Sequence, residues 1–279
     1  MSAAVSDLKC LVPKNLQEAL AQRATEPTLT PIAGGTEVMV WLNDGRAPKG
    51  AFQSLHLLAP QLRKVELLED GVLRIGALAT YTDVRFHPVV AERYPMLVES
   101  ARLTGALQIQ NRGTLAGNVA NGSPAADNVP PLMAYGATVV LASSHGVRTV
   151  PLDQFYLGYR KLDMRPEELI IAIDLPVPAE GLRSHYRKVG TREAQAISKV
   201  VFSGTRAPSG TVRLVWGSVG PTTLRTRRTE DCVGAGGGAE AACAILGEEI
   251  RPIDDIRSTG EYRLKVAKNV LREFIGLLG

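Results

Sequence analysis

The chain has little that would mark it as a hydrolase, a metal centre or a membrane protein. Its 279 residues hold three cysteines, Cys10, Cys232 and Cys243. They are scattered, odd in number and without CxxC spacing, so this chain alone builds neither a disulfide framework nor an iron–sulfur or zinc site. Buried or incidental thiols are expected. The four histidines, His56, His87, His145 and His185, form no HExxH or other tight pair, which argues against a bound metal. There is no GxSxG elbow, no Walker loop and no nucleophile with a neighbouring base. No apolar run approaches the roughly 18 residues that a membrane span needs. The start, Met1-Ser2-Ala3-Ala4-Val5-Ser6-Asp7, lacks the basic and apolar regions of a signal peptide, so a cytoplasmic location is expected. Aromatic residues make up 5% of the chain, too few to serve as stacking platforms for nucleic acid. The net charge of +4 is dispersed, and its densest patch, Arg225-Thr226-Arg227-Arg228, reads as solvated surface or a docking face for an acidic partner. Any catalysis is therefore expected to belong to a bound cofactor.

A hydrophobic content of 45% and a charged content of 22% are those of an ordinary soluble globular protein, and the length favours about two domains. Three zones can be read. In the first, Leu16, Ala19, Leu20 and Ala24 recur at helical spacing after Pro13, which suits an early helical position. A short strand is expected over 29–33, then a Gly34-Gly35 turn and a helix capped by Thr36 that stops at Gly45. The second zone, 62–175, has a strand over 72–78, a capping box from Thr80 and Asp83, and a helix from Pro95 to near Gly105. Strands over 137–141 and 169–173 follow, and Pro176 and Pro178 mark a linker. The third zone alternates strand and turn over 199–219 and closes with a helix carrying Leu264, Ala267, Val270, Leu271, Phe274 and Ile275 on one face.

Two segments suit the wrapping of a large polar ligand. Residues 108–127 concentrate glycine with Thr114, Asn118, Asn121 and Asp127 in a stretch too poor in apolar groups to be core. Glycine lets the backbone approach a ligand, and these side chains supply donors and acceptors. Far upstream, Pro31-Ile32-Ala33-Gly34-Gly35-Thr36-Glu37 reads as strand, glycine turn and helix start, the simplest cradle for a phosphate. A cofactor held between two loops is the reading. The Gly234-Ala235-Gly236-Gly237-Gly238-Ala239 run matches a dinucleotide fingerprint but has no buried strand before it, so an interhelical loop explains it better. Tyr186-Arg187-Lys188-Val189-Gly190-Thr191-Arg192 is a basic stretch with a glycine hinge, readable as a flavin contact or as solvated strand and loop.

The segments Ile32-Ala33-Gly34-Gly35-Thr36-Glu37, Arg74-Ile75-Gly76-Ala77, Asn111-Arg112-Gly113-Thr114-Leu115-Ala116-Gly117-Asn118 and Ser123-Pro124-Ala125-Ala126-Asp127 resemble the FAD-binding medium subunit of molybdenum hydroxylases. That family includes the flavin subunits of bacterial xanthine dehydrogenase and aerobic carbon monoxide dehydrogenase. Arg165-Pro166-Glu167-Glu168-Leu169-Ile170 and Glu261-Tyr262-Arg263 match too, so the likeness covers nearly the whole chain. Lys188 to Arg192 with Ala194-Gln195-Ala196-Ile197-Ser198-Lys199-Val200 looks most like the xanthine dehydrogenase branch.

The resemblance implies an α+β fold: a two-subdomain, PCMH-like FAD-binding domain over 1–175, divided near 60, then a smaller α+β domain over 180–279 with an antiparallel sheet and helices. It implies FAD in this chain, with Ile32, Ala33, Gly34, Gly35, Thr36 and Glu37 at the diphosphate. Thr114, Gly117, Asn118 and Asn121 would form the second binding loop, Asp127 would accept from sugar or ribityl hydroxyls, Ile170 would pack by the isoalloxazine and Lys188 would lie at its polar edge. It further implies a large molybdopterin subunit, a small subunit with [2Fe–2S] clusters, NAD or another electron acceptor, and a dimer of heterotrimers. Two departures are Ala116 where the family usually has glycine, and Gln195 at about the place where some relatives carry an aromatic residue. The three cysteines exclude the additional cluster that some relatives hold in this subunit. From the residues alone, a self-sufficient flavoprotein oxidase and a basic, non-enzymatic interaction module stay open.

Overall fold

The first unit is a parallel three-stranded sheet with helices on it. It comprises β1 (Cys10–Leu11), α1 (Leu16–Thr25), β2 (Thr30–Ile32), α2 (Thr36–Asn43), β3 (Phe52–Ser54) and α3 (Ala59–Leu62), with the strands ordered β1-β3-β2. In this computed structural model residues 8–46, 48, 50–193 and 195–278 are described. The amino-terminal reading of residues 1–7, and Ala194 in the branch motif, lie outside the described residues. Helix α1 begins later than Pro13 suggests: Asn15 is the cap, its side chain accepting from the Glu18 amide, because Asn offers a capping oxygen and Pro does not. Ala19, Leu55, Leu58 and Leu62 of this unit pack with Leu78 and Leu169 of the next.

The second unit is an antiparallel five-stranded sheet covered by short helices. Its elements are β4 (Val65–Leu67), β5 (Leu73–Gly76), α4 (Tyr81–Phe86), α5 (Pro88–Arg93), α6 (Pro95–Leu103), α7 (Leu107–Gln110), α8 (Leu115–Asn121), α9 (Val129–Ala134), β6 (Thr138–Ser143), β7 (Gly146–Pro151), α10 (Leu152–Phe155), β8 (Tyr156–Gly158), β9 (Lys161–Leu162) and β10 (Leu169–Leu175). The sheet order is β4-β5-β10-β6-β7, which puts the apolar β10 at the centre. Its register against β6 shifts between Ile170 and Ala172. Ile171 is the extra residue there, a β-bulge immediately after Ile170. The capping box expected at Thr80 and Asp83 is present.

Two carboxylates tie this unit together. Glu168, 2% exposed, accepts from the Arg148 guanidinium at 2.6 and 2.9 Å and from the Arg165 amide at 2.7 Å. Burial pushes its carboxyl up, but those bonds outweigh it and hold Glu168 below the usual range. Asp83 behaves alike: burial raises it, and Arg63 and Thr80 bring it down further. Folded values below the unfolded ones, about 4.3 for Glu and 3.9 for Asp, stabilise the fold above those pH values. The melting temperature is therefore expected to hold steady from neutral pH to about 5 and to fall as pH drops through 4.3 and below. Glu168→Gln should flatten that acid limb in a thermal-melt series; an unchanged limb would remove Glu168 from the account.

The third unit is an antiparallel sheet of β11 (Arg183–Val189), β12 (Val200–Arg206), β13 (Val212–Gly217) and β14 (Leu224–Arg225) in that order, backed by α11 (Arg227–Gly234), α12 (Ala239–Glu249) and α13 (Gly260–Leu278). The face of α13 with Ala267, Val270, Leu271 and Phe274 covers Phe202 and Trp216. The basic stretch at 186–192 thus begins as strand β11. Helix α11 was hidden by its polarity: Glu230 is buried because it accepts from the Leu214 amide at 2.8 Å and grips Arg225 at 3.0 and 2.6 Å. The glycine run over 234–238 connects α11 to α12, as expected of an interhelical loop. The architecture is α+β throughout, and Val215 and Tyr186 join the second unit's core, so the units share one apolar seam.

Candidate functional site

The two glycine segments meet backbone to backbone. A Cβ placed on Gly34 would lie 1.8 Å from the Arg112 carbonyl oxygen and 2.6 Å from its carbon, so only glycine lets the first and second units close here. Gly35 follows in the left-handed region at φ 75° and caps α2 without a side chain. Thr36 is consequently the first helical residue and not the cap that its hydroxyl suggests, because the left-handed turn already closes the helix start. Among the described residues no side chain caps the start of α2, which leaves donors aimed out of the helix start. Glu37 in that turn accepts from the Trp41 indole at 3.1 Å and faces Arg160 at 3.9 Å.

Residues 108–127 are not the open loop their composition suggests. They fold as α7, a turn at Arg112 and Gly113, and α8. Thr114 caps α8, its hydroxyl accepting from the Gly117 amide at 3.0 Å, and a β-bridge joins it to Thr80. Leu115 and Val119 are fully buried, so alternate faces of one short helix serve the core and the cavity. Ala116, where the family usually has glycine, is helical without positive φ and puts its methyl into the core. The Asn118 Oδ1 is buried with no partner among the described residues. An orphaned acceptor beside a cavity marks a place where a bound donor would recover the lost hydrogen bond.

Between these walls lies a cavity of about 640 Å³, a size suited to cofactors, which take about 300–1,000 Å³. Ala33, Gly34, Gly35, Thr36 and Glu37 line it from one side, Thr114, Gly117, Asn118 and Asn121 from the other, and Ile170 joins them. Three residues expected at the ligand do not line it: Ile32, Asp127 and Lys188. Ile32 belongs to β2 and supports the Gly35 turn from below, its Cγ2 being 3.7 Å from where a Cβ on Gly35 would stand. Asp127 and Lys188 pair with each other at 2.6 Å, and Lys188 also donates to the Leu103 carbonyl at 3.0 Å. The other Asp127 oxygen accepts from the Ser198 hydroxyl. Burial is the largest influence on Asp127 and pushes its carboxyl up, opposed by Lys188 and Ser198. The pair therefore ties the second unit to β11 and, through Ser198, to the segment before β12, a position that sequence could not distinguish from a ligand contact.

Residues that the sequence reading passed over also line the cavity. Ile197, 53% exposed, reaches it from the segment before β12, close to Gln195, which has a positive φ of 55°. Ile109 comes from α7, and Tyr81 from the first residue of α4. Arg23, 4% exposed, donates to the carbonyls of Leu29 at 2.8 Å and of Pro166, bridging the first two units. Tyr81 stood inside the recognised Thr80–Asp83 box, but a capping pattern reports a helix start and carries no information about a cavity. Among the described residues no cluster of His, Cys, Asp and Glu could hold a metal, and no helix is long and apolar enough to cross a membrane.

Residues 6–178 match the FAD binding domain in molybdopterin dehydrogenase, and residues 186–278 match the CO dehydrogenase flavoprotein C-terminal domain. The chain is 29% identical to the putative xanthine dehydrogenase FAD-binding subunit of Escherichia coli K12, over 93% of this chain and 92% of that one. It is 30% identical to the carbon monoxide dehydrogenase medium chain of Hydrogenophaga pseudoflava, over 93% of each. A solved carbon monoxide dehydrogenase from the same organism superposes with a TM-score of 0.88 at 25% identity, covering 95% of both chains. Fold, paired glycine walls and matches over both halves lead to one conclusion: the chain belongs to the FAD-binding flavoprotein family of the molybdopterin dehydrogenases and is an oxidoreductase subunit.

Proposed function

We propose that this chain is the electron-exit subunit of a heteromeric molybdenum hydroxylase, taking electrons from [2Fe–2S] clusters on a small partner and passing them through FAD to NAD or another acceptor. A large molybdopterin subunit would hold the substrate, and the assembly would be a dimer of heterotrimers. Within the chain we divide a flavin-binding domain over 1–175 from a C-terminal domain over 180–279. The observation that carries the reading is the closure of the Gly34 turn on the Arg112 carbonyl at one edge of a single cavity.

The donor set fits a dinucleotide. Amides at the start of α2, with the helix dipole behind them, suit a diphosphate. Asn118 and Asn121 offer amide groups to sugar or ribityl hydroxyls. Ile170, Ile109 and Ile197 present apolar surface to a planar ring. When bound, FAD supplies the exchange between single-electron and hydride chemistry. The residues of this chain bind, orient and shield it; we assign none as a catalytic base. Asp127 and Lys188 act behind the wall by fixing Ser198 and, through it, the segment that carries Ile197.

Xanthine-dehydrogenase-like and carbon-monoxide-dehydrogenase-like readings rest on equal similarity, since relatives of both names match over 93% of the chain at 29% and 30% identity. Purification of the native complex tests the proposal. It is expected to be yellow-brown, with flavin, iron and molybdenum, and to reduce an acceptor with either a purine or carbon monoxide. A stable metal-free monomer would defeat the claim of partners, and turnover of an organic substrate by this chain alone would favour the stand-alone oxidase.

A further inference from the structure

Tyrosine hydroxyls carried into or against a core normally find a partner, and those of two buried and two partly buried tyrosines in this chain do. Tyr94 donates to the Pro176 carbonyl at 3.1 Å, Tyr156 to Val119 at 3.1 Å and Tyr186 to Asp127 at 3.4 Å, while Tyr135 accepts from the Met96 amide at 3.3 Å. Tyr81 is 5% exposed and breaks the pattern: its hydroxyl bonds to none of the described residues. Nor is that oxygen among the sealed polar atoms that lack a partner. Tyr81 lines the cavity, so its hydroxyl opens there.

The ring is held where the two glycine walls join. The Tyr81 amide donates to the Gly113 carbonyl at 3.0 Å. A Cβ on Gly113 would come within 2.8 Å of the Tyr81 Cε2, and the neighbouring Arg112 carbonyl is the group that Gly34 touches. The hydroxyl is thereby carried on a ring wedged against the turn that meets the phosphate cradle, with little freedom to point elsewhere. We infer that the Tyr81 hydroxyl is a cofactor contact, donating a hydrogen bond to the diphosphate of the bound dinucleotide.

The chemistry agrees with donation. Burial, and then the carboxylates of Asp127 and Glu37, push the phenol well above its ordinary range, so it keeps its proton at any physiological pH. Phosphate oxygens accept and do not donate, and a charged acceptor makes such a bond stronger than a neutral one. No bond is made or broken; the role is binding, and it rests on the flavin-subunit reading above.

The test is Tyr81→Phe in the full chain, stripped of cofactor and kept with its partner chains where these co-purify. FAD affinity is read by flavin fluorescence quenching and ADP affinity by competition. FAD and ADP should both bind about ten- to a hundredfold more weakly, as loss of a bond to a charged group implies. The melting temperature of the cofactor-free variant should stay at the wild-type value, because no bond to protein is lost; a structural role would lower it. Wild-type affinity for FAD in the variant overturns the inference. Weakened FAD with unchanged ADP overturns the diphosphate assignment by moving the contact to the flavin side. A wild-type chain that takes up neither ligand would overturn the functional reading, and this inference with it.

Discussion

Gly34→Ala is expected to lower FAD affinity by more than a hundredfold and to reduce thermal stability at the same time. The added methyl would stand 1.8 Å from the Arg112 carbonyl oxygen, about half the 3.5–4.0 Å at which non-bonded heavy atoms attract. The methyl is fixed directly to the backbone and the carbonyl belongs to it, so relief requires the first unit to move away from the second. That motion widens the cavity, separates the α2 amides from Asn118 and loosens the apolar cluster around Leu78 and Leu169. Gly35→Val provides the contrast. The nearest atom to its Cβ is Ile32 Cγ2 at 3.7 Å, so the wall has room, and the protein suffers mainly the roughly 1–2 kcal/mol of a side chain at positive φ. Its side chain stands at the phosphate cradle, so flavin occupancy should fall with a smaller loss of melting temperature than at Gly34. Fluorescence titration and thermal melts of both variants check this. Full flavin content in Gly34→Ala would show that the two walls need not touch.

Lys188→Met should be the most destabilising change outside the glycine walls, by about 3–5 kcal/mol, the usual result of removing one partner from a buried ion pair. Only 6% of the Lys188 side chain and 11% of the Asp127 side chain are exposed, so water cannot replace the missing ammonium. Asp127 would be left buried, with Ser198 as its remaining side-chain partner. Adding Asp127→Asn to Lys188→Met should recover much of the loss, because the orphaned charge is gone. Denaturant melts of the two single variants and the double variant measure the coupling. Simple addition of the two losses would mean that the residues do not act as a pair. The ion pair also anchors the segment carrying Ile197, so the single variant should expose the bound flavin more readily to solvent quenchers.

Local rules carried far in this chain. The strand, turn and helix around Gly34 and Gly35, the Thr80–Asp83 box, the central strand β10 and the apolar face of α13 were all legible, because period, capping oxygen and glycine act within a few residues. The connecting role of the glycine run before α12 was legible for the same reason. Helix α11 was not, since Arg227, Arg228, Glu230 and Asp231 look solvated until Arg225 and the Leu214 amide arrive to satisfy Glu230. Residues 108–127 were misread as loop for a related reason. Seven residues divided between core and cavity, as in α8, are too few to display a helical period.

By itself, then, the sequence determined where the backbone could turn tightly and come close, at Gly34, Gly35 and Gly113, and which side chains stood ready with donors and acceptors. Tertiary structure decided which of those groups a ligand can reach. Asp127 and Lys188 spend their charge on each other, whereas Tyr81, part of an ordinary helix start, lines the cavity with a hydroxyl that bonds to none of the described residues. The reason is physical: a side chain's chemistry is set by its own atoms, but its availability is set by partners that the fold brings from distant parts of the chain.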